Sequence, residues 1–198
     1  YENFLDYTLF QGESENGEDF DRYIDDYFLL RQAVVDKNFE DGEKLYEKLM
    51  DQDIYHPFTE AEWACILMEK GDLYSARQIL DRLWQEYPDS LYIANCYVRA
   101  LILDQDMDKA EPICLEILNK NKKNYEGNLA YARCLCHKGR YKEAKDCLLD
   151  LFELTPGDDN AMKLLQEVNV HLIRDYKEKL SQEPGDQNTL LDMGWCLC

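Results

Sequence analysis

Between Glu60 and Lys70 the apolar residues Trp63, Ala64, Leu67 and Met68 recur at the three-and-four spacing of a single helix face. Gly71-Asp72 follows. The glycine suits a left-handed helix terminator, and the aspartate suits the cap of a second helix. A further stripe of Ala76, Ile79, Leu80 and Leu83 predicts that second helix over Leu73 to Tyr87, ended by Pro88. Residues 57–90 therefore read as helix, turn, helix. The same reading predicts hairpins over 23–56, 91–124 and 125–158. Gly139-Arg140 repeats the Gly71 turn, while Lys37-Asn38 and Gln105-Asp106 fill it in the other two.

The hairpins recur with a fixed period. Ala76, Ala110 and Ala144 stand at equal intervals, and Gly71 and Gly139, like Pro88 and Pro156, stand two such intervals apart. Two apolar columns share the register: Phe39, Leu73, Met107 and Tyr141, then Tyr46, Leu80, Cys114 and Leu148. The alanine column has a steric reason. Two helices approach closely only where a side chain is small, and Gly42 takes this place in the first copy. A large residue there overpacks the contact at a cost of about 1–3 kcal/mol.

These residues resemble the tetratricopeptide repeat family. Ala64, Gly71, Leu73, Ala76, Leu80 and Pro88 fit one copy, and Ala132, Gly139, Tyr141, Ala144, Leu148 and Pro156 fit another. The copies at 23–56 and 91–124 depart from the pattern, with Ile54 and Lys122 where proline belongs. The resemblance covers about 23–198. It implies an all-α fold, a right-handed α-solenoid of stacked antiparallel helix hairpins. It also implies a concave groove lined by the first helix of each hairpin, which holds a protein or peptide.

Carried onto this chain, the family's groove positions give Tyr27, Arg31, Phe58, Met68, Tyr92, Asn95, Arg99 and Arg133 as the expected binding residues. One groove position reads Arg31, Cys65, Arg99 and Arg133 through the four copies. Guanidinium groups there suit carboxylates on a partner, and Arg99 and Arg133 are expected on neighbouring helices. The competing reading pairs these arginines with the chain's own acids. The family's clamp for chaperone C-termini finds no matching set of residues.

Beyond residue 158 the register slips, since Pro184 follows Pro156 by less than one full period. We expect a shortened unit over 159–186, built of shortened or fused helices, and a truncated first helix over 187–198. Its bare apolar face and the lack of an initial methionine lead us to expect sequence beyond both ends. Residues 1–22 carry seven acids and one base. They read as an acidic extension, either loose or forming a short cap, or as an aromatic segment that fills a groove.

Composition narrows the function. The net charge of -19 disfavours nucleic-acid and membrane-surface partners, and no apolar run reaches the length of a membrane span. The eight cysteines sit mostly in helical stretches and read as reduced thiols, which favours a cytoplasmic protein. Cys134 and Cys136 are two positions apart on a helix, so they face apart and make a poor metal pair. His56, His137 and His171 fall in three different units, and no nucleophile or phosphate-binding motif is present. No catalytic residue, metal or cofactor is expected. The function expected is an interaction scaffold. The alternative is a structural or regulatory arm of a larger enzyme or co-chaperone, engaged within its own chain or by self-association.

Overall fold

A computed structural model of the chain describes residues 7–9, 11, 17–52 and 54–197. Among them are a 3-10 turn at Tyr7–Leu9 and the α-helices α1 (Gly17–Val35), α2 (Phe39–Met50), α3 (Pro57–Lys70), α4 (Leu73–Glu86), α5 (Leu91–Leu103), α6 (Met107–Lys120), α7 (Tyr125–His137), α8 (Tyr141–Leu154), α9 (Asp159–Gln182) and α10 (Gln187–Leu197). They form two compact units, Tyr1–Asp104 and Gln105–Cys198. The division falls between the two helices of the expected 91–124 copy. In the first unit α1 pairs with α2 and α3 with α4, while α1, α3 and α5 pack side by side. In the second unit α6 through α10 each pack on the next.

Register, more than residue type, fixes the backbone. Four positions spaced one period apart adopt positive φ: Lys37 (57°), Gly71 (87°), Gln105 (61°) and Gly139 (71°). The drifted copies thus keep the left-handed turn without glycine and carry its steric strain. Lys37→Gly is expected to raise stability by about 0.5–1 kcal/mol, the relief of that strain less the added freedom of the unfolded chain. A urea melt that shows no gain would remove this account.

The residues before the first helix of successive hairpins form a second column. Ser90 accepts from Ile93 N, Asn124 from Gly127 N and Asp158 from Ala161 N. His56 fills the same place, its ring Nδ1 accepting from Phe58 N at 3.1 Å. Each satisfies an amide that the helix start leaves open.

The small-residue column is buried as its spacing predicts: Ala76, Ala110 and Ala144 are fully enclosed. A Cβ placed on Gly42 would meet Ile66 Cδ1 at 2.8 Å and Ala33 Cβ at 3.8 Å, so α2 lies against both α3 and α1. Of the second apolar column, Leu80, Cys114 and Leu148 are buried. Tyr46 is half-buried and stacks on Trp63 with ring centroids 4.7 Å apart.

Two expectations need correction, and one is resolved. The first helix begins at Gly17, inside the expected extension, where Asp19 and Asp21 near its start suit the helix dipole. Residues 159–182 form one continuous helix, the fused form of the expected unit. The stretch holds no glycine or proline, and Ala161, Leu164, Val168, Leu172 and Tyr176 keep a single buried stripe from end to end. The last helix packs back on this stripe, with Cys196 in one core with Leu172 and Tyr176. α9 has room for it because Tyr141, the first residue of α8, stacks on His171, leaving the rest of α9 to α10. Leu191, Trp195 and Leu197 of α10 remain exposed.

Candidate functional site

Within the first unit the side-by-side helices α1, α3 and α5 bear residues in rungs. Tyr92, Asn95 and Arg99 stand at i, i+3 and i+7 on α5, and Glu62, Cys65 and Glu69 take the same spacing on α3, so each trio shares a face.

The lowest rung is a buried carboxylate. Glu62, 2% exposed, accepts from Tyr92 Oη at 2.5 Å and from Tyr27 Oη at 3.4 Å. The Arg31 guanidinium lies 3.9 Å from it and 5.5 Å from the centre of the Tyr92 ring. Burial raises the proton affinity of Glu62 above the ordinary carboxyl value, against the lowering pull of Tyr92, Arg31 and Tyr27. Tyr92 in turn leans on Phe58, and Phe58 on His56, each pair with centroids 4.6 Å apart.

The middle rung is a pair of buried thiols, Cys65 and Cys96, with sulfurs 3.8 Å apart. The contact with Cys65 and then burial push the Cys96 thiol upward, so it stays protonated. The upper rung is ionic. Glu69 takes Arg99 from α5 and, at 3.5 Å, Lys37 from the turn after α1.

Of the expected binding residues, this layer brings Tyr27, Arg31, Phe58, Met68, Tyr92, Asn95 and Arg99 together. It does not present them all. Tyr27 (0% exposed), Phe58 (3%) and Met68 (7%) are buried in the core. Arg99 remains 43% exposed although paired, and Tyr92 and Asn95 are half-buried. Arg133, on α7 of the second unit, is exposed and has no ion pair among the described residues. Glu62 is not among the expected residues, since one acid among 41 carries little signal. The available sign is a single acid at Glu62 within the apolar run Ala61 to Met68.

Beside this face lies a pocket of about 580 Å³ lined by Leu9, Phe58, Tyr87, Leu91, Tyr92 and Asn95, among others. Asn95 Oδ1 is buried and has no hydrogen-bond partner among the described residues. Gln11 makes a two-way backbone bridge with Tyr55, at 2.9 and 2.7 Å, and its side chain donates to Tyr87 Oη at 2.8 Å. Among the described residues no group of three or more His, Cys, Asp or Glu is placed to hold a metal ion. No described helix is long and apolar enough to cross a membrane.

Helix hairpins repeated in one register, with a left-handed turn inside each and a small residue at each crossing, define an all-α solenoid repeat protein. Residues 101–168 match a family model described as tetratricopeptide repeat, and residues 62–90 match a second with the same description. Tetratricopeptide repeats thus occupy residues 62–90 and 101–168 of the chain. No curated protein matches it. Similar solved structures share the fold at low identity. TTC0263, a thermophilic TPR protein of Thermus thermophilus, is 15% identical with a TM-score of 0.64, over 88% of this chain and 98% of its own. MamA of Desulfovibrio magneticus RS-1, from residue 41 to its end, is 11% identical with a TM-score of 0.61, over 89% and 95%. A point mutant of MamA is 16% identical with a TM-score of 0.62, over 90% and 99%. Tetratricopeptide repeats generally serve as protein-binding modules, which makes this chain an interaction scaffold in the broad sense.

Proposed function

We propose that the α1–α3–α5 face of the first unit holds a segment of another protein that carries acidic groups, with Arg99 as its main grip. The observation that carries this is Arg99 itself, a guanidinium 43% exposed on the face formed with Tyr92 and Asn95. Its pairing with Glu69 opposes the reading only weakly, because a half-exposed ion pair is worth about 0–1 kcal/mol and exchanges readily for another carboxylate. Tyr92 supplies an aromatic surface of the kind that anchors interfaces, and Asn95 an unused acceptor. On the second unit Arg133 offers another guanidinium, without an ion pair among the described residues. The free thiols of the seven described cysteines favour a cytoplasmic setting.

The test uses displayed random peptides. The wild-type chain is expected to enrich sequences rich in Asp and Glu, and the Arg99→Ala/Arg133→Ala variant to bind those at least about tenfold more weakly with an unchanged melting temperature. Equal affinity for the two proteins would overturn the proposal.

A further inference from the structure

The segment before α1 already behaves as a ligand. Gln11 pairs with Tyr55 through both its N–H and its carbonyl, which is the pattern of an added strand. Two positions earlier Leu9 forms one wall of the pocket, which Phe58, Tyr87 and Tyr92 also line. The Gln11 side chain fixes the register by donating to Tyr87 Oη. Main-chain pairing at Tyr55 reads no sequence, whereas a largely apolar pocket beside it selects the side chain it receives. The pocket keeps a volume of about 580 Å³ with Leu9 in place, and the Asn95 acceptor still lacks a donor among the described residues. The chain's own segment therefore borders the hollow without filling it.

We infer that this pocket is a docking site for an extended peptide with a leucine two positions before a backbone-paired one, and that Leu9 and Gln11 hold its edge until a partner segment displaces them. The inference rests on the reading that this face receives peptides. It adds what the peptide looks like and what regulates access. A tethered segment acts at high effective concentration, so it lowers the apparent affinity for any competitor by the fraction of time it holds the edge.

The test measures binding of a labelled synthetic peptide of residues 1–16 to the full chain and to its Leu9→Asp variant by fluorescence anisotropy. A control peptide carries the same Leu9→Asp change. The peptide is expected to bind the variant at least about tenfold more tightly than the wild type, and the control peptide to bind neither. No binding to the variant, equal binding to both proteins, or equal binding of the control peptide each overturns the inference. Should Leu9→Asp fail to fold, Gln11→Pro, which deletes one paired N–H, serves in its place. Arg99 lies outside the pocket lining, so the peptide should bind an Arg99→Ala chain unchanged. Loss of acidic-peptide enrichment alongside intact binding of residues 1–16 would sink only the acidic-partner reading.

Discussion

Glu62→Ala is expected to destabilise the first unit by about 2–4 kcal/mol, far more than Glu62→Gln. The carboxylate is 2% exposed and is the acceptor for the fully buried Tyr27 hydroxyl. Truncation strands that hydroxyl in a site closed to water, a penalty of about 1–3 kcal/mol. It also takes the nearest carboxylate from Arg31, whose side chain is 33% exposed, and leaves a void. Glutamine keeps an acceptor oxygen in the same place. Urea unfolding read through Trp63 and Trp84, both in this unit, measures the difference.

The glutamine variant also separates charge from shape. Burial raises the folded-state proton affinity of Glu62 above the ordinary value of 4.5, so the folded protein holds this proton more tightly than the unfolded chain. The stability it contributes is present in full below the ordinary value and is lost as pH rises through the folded one. Wild type should therefore lose stability relative to Glu62→Gln as pH rises above 4.5. Parallel stability curves for the two proteins would contradict the assignment.

The same rung shows where reading the sequence stops. The alanine column, the turn glycines and the caps at Asp72 and Ser90 carry their structural role in their residue type. Lys37 and Gln105 do not, because neither side chain favours positive φ. Only their place one period to either side of Gly71 marks them. His56 is hidden in the same way, a histidine standing where the other copies use Ser90, Asn124 and Asp158 as caps. For the site, periodicity assigns residues to the inner helices but not to their exposed faces. Tyr27 and Arg31 are one helical turn apart on α1, yet Tyr27 is sealed and Arg31 is not. Deciding that requires knowing how closely α3 lies beside α1, a packing quantity set by both helices together. The fusion of 159–182 into α9 is open to reading from its lack of glycine and proline. The return of α10 onto it is not, because that depends on how far α9 outruns α8.

Ala144→Leu is expected to cost about 1–3 kcal/mol, although leucine is a good helix former and more apolar. Ala144 is fully enclosed in the core shared by Leu129, Ala132 and Leu148 with Ala161 and Leu164. Around Ala144 that core draws on α7, α8 and α9, so added methyl groups must push one of them away or force its side chains from their rotamers. Asp146→Leu, two positions along the same helix on the exposed side, makes the same kind of change in solvent. Its effect should stay within about 0.5 kcal/mol. Thermal unfolding followed by circular dichroism compares the two. Ala76→Leu in the first unit, also fully enclosed, should repeat the loss. If leucine at both alanines proves as harmless as at Asp146, the column records only the frequency of alanine in helices, and close helix approach no longer explains the repeat spacing.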